Sequence, residues 1–265
     1  MFGLVLFAWL MLIVPGTPGF RSFVGFDSYA YWQVDPFHPY EAALGTAGSF
    51  TYSPAFALLL APVHALPFWL FFALWDGFLV ATLVWLTGRY ALLWLVFLPV
   101  TVELYHANIH LLLAAVCVLG FEYPALWSFG LLTKVTPGVS LIWFLVRREW
   151  RSLGVALGAT VAIAAVSFVV APTAWFDWAS FLATSSSTGA TENDWYQFLV
   201  PALWLRLPAA AALVAWGGLT NRRWTVAVAT MVAMPVLWIT SPAILVAVPR
   251  LLRPAREAPA AEPAA

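Results

Sequence analysis

Charged side chains are scarce in this chain. Only 9% of its 265 residues are charged, whereas 63% are hydrophobic and the mean hydropathy is +0.88. A soluble domain carries more charge on its surface, so this composition predicts a polytopic integral membrane protein. Because a hydrocarbon core about 30 Å thick needs roughly 20 residues for each spanning helix, the length allows about eight to eleven passes.

Several sequence features that define soluble enzyme classes are also missing. The 12 basic and 12 acidic residues cancel, and a balanced chain of this kind lacks the electrostatic footprint of nucleic-acid binding. Cys117 is the only cysteine, so an intrachain disulfide is excluded. The sequence has no Gly-rich phosphate loop after a strand, no nucleophile elbow and no CxxC motif. Nucleotide-dependent chemistry of the soluble type is therefore not supported.

Apolar runs separated by polar or proline-containing breaks predict an all-α membrane protein. We interpret residues 1–253 as one transmembrane domain and the Ala/Pro-rich residues 254–265 as a disordered tail. The first run lacks a basic n-region and is interpreted as a retained helix, not as a signal peptide. The runs cover residues 2–14, 54–66, 67–87, 90–105, 109–120, 124–133, 137–146, 152–170, 198–219, 224–239 and 243–252.

Arginines set the predicted orientation. Residues 147–151, 221–223 and 250–256 hold the basic clusters, and the positive-inside rule places these on the cytoplasmic side. A first outer loop at about residues 15–53, with short interfacial helices, and a late outer loop at about 172–197 then face outside. The late loop has an aromatic amphipathic segment and a polar segment, which either cover a lipid-sugar site or form a plain connection.

One stretch of the chain does not fit this orientation without an extra assumption. If the N-terminus and Arg89 are both cytoplasmic, only one full pass fits between Ser53 and Arg89. Two apolar runs, 54–66 and 67–87, lie there. Either the first of them is a half-helix on the outer side, or one of the breaks is misread, and the sequence leaves both open.

The polar residues 25–54 stand out against this apolar background, and Asp27 is their central feature. A carboxylate among tyrosines beside a bilayer is costly unless it has a function. Asp27 is therefore a candidate general base that takes a proton from an attacking hydroxyl. The alternative is an ordinary loop aspartate that caps a short helix starting at Ser28. Tyr52 lies in an aromatic turn that opens a helix at Pro54, and it is either a site residue or an interfacial anchor.

A lysine and a polar turn interrupt the apolar runs further along the chain. Lys134 has no basic neighbours, so it suits a lipid phosphate, although a lysine that snorkels to the interface is the alternative. His106 and His110 have the i,i+4 spacing of a metal pair, with Glu103 as a third candidate ligand. A turn in which Asn108 and the two histidines hydrogen-bond a sugar or phosphate explains the pattern better.

Taken in order, these motifs resemble glycosyltransferase family 87, the mannosyltransferase-like membrane enzymes of the GT-C superfamily. Residues 27–31 resemble the aspartate-plus-tyrosine opening of the family's first outer loop, and 50–54 resemble its aromatic-Tyr-x-Pro turn. Residues 106–109 resemble its Gly-Gln-x-Asn turn, with His and Ala in place of Gly and Gln. Residues 134–137 match best, and Asn193 is similar to an asparagine in the late outer loop.

The resemblance implies a GT-C-like bundle of about nine to eleven transmembrane or half-membrane helices. It implies an inverting hexosyltransferase of the plasma membrane that works without a metal or another cofactor. The enzyme would move mannose from a polyprenyl-phosphate donor to a lipid-linked or glycolipid acceptor at the outer face, among membrane lipids. Asp27 would be the base, or it would position a histidine that acts as the base. The implied donor and substrate contacts are Lys134, Asn108, His106, His110, Tyr29, Tyr52 and Asn193.

Two other interpretations stay open. The first is a non-enzymatic membrane protein, namely a transporter of polyprenyl-linked sugars, an accessory subunit or an inactive GT-C relative. A transporter usually shows internal repeats with matching broken helices, and the sequence shows no convincing repeat. The second is a lipid phosphatase, which usually needs several Arg and His on the active face, where this chain has mainly Lys134. The short chain and the His-Ala replacement keep a changed acceptor open.

Overall fold

The computed structural model describes residues 23–43, 46–188 and 201–252, and these segments contain helices and no strand. The all-α class is therefore confirmed for this part of the chain. The predicted first helix, the predicted tail and Asn193 lie outside the described residues. The α-helices are α1 (Phe26–Gln33), α2 (Pro54–Leu60), α3 (Phe68–Thr87), α4 (Ala91–Trp94), α5 (Leu98–His106), α6 (His110–Leu119), α7 (Trp127–Lys134), α8 (Ile142–Val146), α9 (Trp150–Val170), α10 (Pro172–Thr188), α11 (Leu203–Leu219), α12 (Trp224–Val232) and α13 (Val248–Leu251).

Short 3₁₀ helices continue or connect several of these elements. Proline occupies the first or second position of four of them, where its missing N–H costs nothing. The 3₁₀ segments are Ala61–Ala65, Gly88–Tyr90, Pro124–Leu126, Thr136–Leu141 and Ser241–Ala247.

Among the residues that the structure describes, two segments are long and apolar enough to cross a membrane. Phe68–Trp94 comprises α3 and its short continuation, and Trp150–Val170 is α9. The pair α5 and α6 counts as a third span if a 112° bend is accepted within it. Other apolar helices in the described part of the chain are shorter, with 10–17 residues each, so the count of nine to eleven stays a prediction.

The structure addresses the uncertain stretch before α3. Residues 54–65 form one short unit, α2 followed by the 3₁₀ segment Ala61–Ala65. Seven α-helical and five 3₁₀ residues rise by only about 20 Å, which is well below the thickness of a hydrocarbon core. This length favours the half-helix interpretation of the run 54–66.

The bend between α5 and α6 is built by a single residue in an unusual conformation. Ala107 is in the left-handed region, with φ 53° and ψ 51°, and its N–H still donates to the Glu103 carbonyl. Its own carbonyl accepts a hydrogen bond of 3.0 Å from the Trp75 indole of α3. The broken helix is therefore fixed against α3, and its polar turn is presented at a defined place.

Helices α11 and α12 pack closely because α11 has a glycine, Gly217, on the side that faces α12. A Cβ on Gly217 would lie 1.8 Å from the Thr225 hydroxyl, so only glycine allows this approach. The buried Arg206 guanidinium donates to the carbonyls of Val232 and Met234 at 2.7 and 2.8 Å. The arginine thereby satisfies backbone acceptors where α12 ends.

The predicted late outer loop begins with a helix. Helix α10 covers Pro172–Thr188, and its Phe181 ring stacks on Tyr40 of the first predicted outer loop at 5.3 Å and 18°. The two predicted outer loops are therefore in contact.

Candidate active site

The first turn of α1 is fixed from two sides. The Gly25 N–H donates to the Tyr105 carbonyl of α5 at 2.8 Å, and the Ser28 hydroxyl donates to the Gly25 carbonyl at 2.9 Å. Gly25 has φ 78°, and a Cβ there would lie 2.8 Å from the Phe72 ring of α3. A side chain fits neither the backbone conformation nor the space. Helix α1 therefore begins at a defined position between α3 and α5.

This position brings Asp27 to Asn108. The Asn108 amide nitrogen Nδ2 donates to Asp27 Oδ2 at 2.7 Å. The amide oxygen Oδ1 of Asn108 accepts the Ile109 N–H at 2.7 Å and the Tyr31 hydroxyl at 3.3 Å. Since both of these partners are donors, they fix which end of the amide is the oxygen. The Asn108 NH₂ group therefore faces the carboxylate.

Two buried tyrosines extend the network. The hydroxyls of Tyr31 and Tyr52 are 2.8 Å apart. Tyr31 donates its single hydrogen to Asn108, so Tyr52 donates to Tyr31. Burial raises the pKa of both phenols well above the ordinary value, which keeps them neutral donors. The Tyr40 hydroxyl donates to the Tyr52 carbonyl at 2.7 Å and holds the turn from the other side.

Lys134 completes the arrangement at the end of α7. Its Nζ lies 4.4 Å from the centre of the Tyr52 ring, in a cation–π contact. The next residue, Val135, has φ 52° and ψ −60°, a strained conformation for a β-branched side chain. Burial lowers the pKa of Lys134 to about 8, although the charges of Asp27 and Glu103 oppose the shift. The Lys134 amine is thus largely protonated at neutral pH.

His106 lies on the open side of the site. Its Nδ1 is 3.8 Å from Asp27 Oδ2, and the side chains are 19% and 26% exposed respectively. Both side chains therefore keep part of their surface accessible. Asp27, Asn108 and Lys134 are far apart in sequence, and the contacts through Tyr31 and Tyr52 bring them into one cluster.

His110 has a different position from His106. Its Nδ1 is 2.9 Å from Glu103 Oε2, and the two side chains are 1% and 0% exposed. The other Glu103 oxygen accepts the backbone N–H groups of His110 and Leu111 at the start of α6. A carboxylate at this place satisfies donors that a helix leaves unpaired. His110 therefore lies beneath the turn, and a direct contact with substrate stays a prediction.

The i,i+4 spacing of His106 and His110 does not put them on one helix face. The helix breaks between them and bends by 112°. Within residues 23–43, 46–188 and 201–252, no group of three or more His, Cys, Asp or Glu side chains is placed to hold a metal ion.

Tyr29 and Tyr31 have different surroundings, and the predicted substrate contact of Tyr29 stays a prediction. Tyr29 packs among the rings of Trp32 and Phe68 and not in the network around Asn108. Tyr31 is four residues after Asp27, so both lie on one face of α1, and this helical spacing is the signal that identifies it.

The sequence motifs did not point to Asp76. It lies inside the apolar span Phe68–Trp94, and its Oδ1 is buried without a hydrogen-bond partner among the described residues. An acidic residue within a spanning helix is itself a signal of function.

The described residues form an all-helical fold with two or three candidate membrane spans and a partly exposed polar cluster. A family model described as glycosyltransferase family 87 matches residues 50–264, and the chain belongs to this family. The resemblance is thereby confirmed, and membership implies a glycosyltransferase. Comparisons with curated proteins and with solved structures find no match. The family match includes Tyr52, Asn108 and Lys134, whereas Asp27 precedes it and is joined to them by the fold.

Proposed function

We propose that this protein transfers mannose from a polyprenyl-phosphate donor to a hydroxyl of a lipid-linked or glycolipid acceptor. The site faces the outer side of the plasma membrane, and transfer inverts the anomeric carbon. The family gives the reaction class. The single observation that supports the proposed residue roles is the network that joins Asp27, Asn108 and Tyr52, with Lys134 on the Tyr52 ring.

Asp27 is the proposed base. The acceptor oxygen attacks the anomeric carbon while the Asp27 carboxylate takes the proton of that hydroxyl. The bond between the anomeric carbon and the phosphate oxygen breaks, and its electron pair leaves with the phosphate. Asn108 holds one carboxylate oxygen at 2.7 Å and so orients the base. A single displacement of this kind inverts the configuration.

Lys134 is the proposed stabiliser of the leaving phosphate. Negative charge develops on that phosphate as the sugar departs, and a fixed, partly desolvated cation stabilises it more than a solvated one does. The Tyr52 ring holds the ammonium in place. Because the lysine supplies the positive charge, the proposed reaction contains no step that uses a metal.

His106 is the second candidate for the base. It lies 3.8 Å from Asp27 and shares the open side of the site. In this alternative mechanism Asp27 orients the imidazole, and the imidazole takes the proton of the acceptor hydroxyl. The two mechanisms predict different effects of the substitution His106→Gln. This substitution abolishes transfer only if the histidine is the base.

The deciding experiment uses the purified chain in liposomes with radiolabelled polyprenyl-phosphate mannose and lipid acceptors. We expect labelled product with the wild type and a loss of about 10³-fold or more in Asp27→Asn. Asp35→Asn is the matched control, because Asp35 is an exposed carboxylate of the same region that pairs with His38. Full activity in Asp27→Asn would exclude both proposed roles of Asp27. A wild type that binds the donor but forms no product would favour the accessory or transporter interpretation.

A further inference from the structure

An apolar cleft lies at the end of the Phe68–Trp94 span that is far from the candidate active site. The site meets this span near its beginning, where Phe72 contacts Gly25. The cleft has a volume of about 360 Å³ and is lined by Leu86, Thr87, Tyr90, Leu93, Trp94 and Pro249. The two features are therefore separated by most of the length of α3.

The length of α3 fixes the depth of the cleft in a bilayer. Helix α3 has 20 residues, from Phe68 to Thr87, and so rises by about 30 Å. This rise equals the thickness of a hydrocarbon core. The cleft lies at the last residues of α3. In a bilayer that α3 spans, this is the level where acyl chains meet lipid headgroups.

Two arginines are next in sequence to residues that line the cleft. The Arg250 guanidinium lies 4.2 Å from the Trp85 ring, and the Arg89 guanidinium lies 4.9 Å from the Tyr90 ring. Arg89 precedes the lining residue Tyr90, and Arg250 follows the lining residue Pro249. Neither arginine forms an ion pair with a carboxylate of the described segments. Both cationic groups are thus placed beside an apolar cleft at the membrane surface.

Stacking on a ring holds a guanidinium in place and covers only its face. One Arg89 Nη2–H already donates to the Tyr90 hydroxyl at 2.7 Å. The remaining N–H donors of the two guanidinium groups lie in the plane of each group, where they match the oxygens of a phosphate. An apolar cleft next to such donors fits a molecule with an acyl chain and an anionic head. Basic pockets at the ends of membrane helices bind anionic lipid headgroups for this reason.

We propose that this cleft is a binding site for an anionic phospholipid. The lipid phosphate binds between Arg89 and Arg250, and an acyl chain lies against Leu93 and Trp94. The site is independent of the transferase reaction, because it lies at the other end of the span. It would select phosphatidylglycerol over the neutral phosphatidylcholine.

Native mass spectrometry of the detergent-purified protein tests this site. We measure binding of dioleoyl phosphatidylglycerol and dioleoyl phosphatidylcholine to the wild type, and we expect a clear preference for the anionic lipid. Arg89→Gln and Arg250→Gln should each weaken phosphatidylglycerol binding about fivefold, the usual effect of one basic residue near an anionic surface. Leu93→Trp, which fills the cleft without a change of charge, should also lower the bound fraction.

Arg222→Gln is the matched control. Arg222 stacks on Trp216 at 4.9 Å in the same way, but it does not adjoin the cleft. The control should bind phosphatidylglycerol like the wild type. Equal weakening by Arg222→Gln would mean a general attraction of basic residues to anionic lipid and would overturn the site. Equal binding of the two lipids would overturn it as well.

Discussion

At the residue scale, the side chains around Asp27 form a hydrogen-bond chain with one direction. Tyr52 donates to Tyr31, Tyr31 donates to Asn108, and Asn108 donates to Asp27. Lys134 lies over the ring at the far end of this chain. The proposed base and the proposed cation are therefore positioned by one set of buried contacts, and their separation is set by neutral groups.

Lys134 should give the reaction an alkaline limit. Burial lowers its pKa to about 8, so the ammonium is present below this pH and is lost as the pH rises through it. We expect kcat/KM for the lipid-phosphate donor to fall above about pH 8, because this parameter reports ionisations of the free enzyme. Rates measured between about pH 6 and pH 10 test this expectation.

Lys134→Arg distinguishes this limit from other ionisations. A guanidinium keeps its charge far above pH 8, so the alkaline fall should disappear or move upward even if the overall rate is lower. An unchanged alkaline limb in Lys134→Arg would show that another group titrates there.

The sequence pointed to single polar residues but not to the contacts between them. Asp27 and Lys134 stood out because charge is rare beside so many apolar residues, and in the structure both contact one cluster of Tyr and Asn side chains; their roles stay predictions. The sequence drew attention to Tyr29, but its position two residues after Asp27 turns it away from the network. The pairing of Tyr31 with Tyr52 depends on a contact between distant segments, which spacing along the chain does not encode.

At the element scale, Glu103 holds the broken helix together. One oxygen of its carboxylate contacts the His110 ring at Nδ1, and the other accepts the backbone N–H groups of His110 and Leu111. The Glu103 side chain is fully buried. The turn it fixes carries Asn108, which orients Asp27. Glu103 is therefore a positioning residue of the proposed site.

Glu103→Gln should destabilise the fold and misplace the turn. Removing one partner of a buried pair costs on the order of 3 kcal/mol, and the new amide NH₂ meets donors where a carboxylate oxygen stood. We expect a lower unfolding temperature in detergent and a lower kcat with little change in KM for the donor. Thermal unfolding and steady-state transfer rates measure the two effects.

Glu122→Gln is the control for Glu103→Gln, because Glu122 is an exposed carboxylate at the other end of α6. It should change neither quantity. A double-mutant cycle with His110→Gln then isolates the pair, and additive effects of the two substitutions would contradict a coupled Glu103–His110 contact.

The elements themselves were only partly predictable. The break near residues 106–109 was visible because polar residues interrupt two apolar runs. Its 112° bend was not, because Ala107 adopts a left-handed conformation that usually marks glycine. The helix α10 was also hidden, since its Ser/Thr-rich end is typical of loops.

At the scale of the whole molecule, the span Phe68–Trp94 separates two chemically different ends. The Asp27 site lies near the beginning of the span, and the arginines at 89 and 250 lie near its end. The sequence predicted this division from charge alone. It did not determine how many helices cross the membrane, because short helices such as Thr136–Val146 have spanning-like composition without spanning length.

Cysteine labelling tests which end faces outside. Cys117 is the only cysteine and is buried, so Cys117→Ser gives a background without reactive thiols. Asp35→Cys and Arg151→Cys then place one exposed thiol near the site or in the Arg147–Arg151 cluster. A membrane-impermeant maleimide on intact cells should label position 35 at once, and position 151 only after the membrane is opened. Labelling of position 151 in intact cells would reverse the orientation and place the transfer reaction on the cytoplasmic side, where the arginine rule does not expect it.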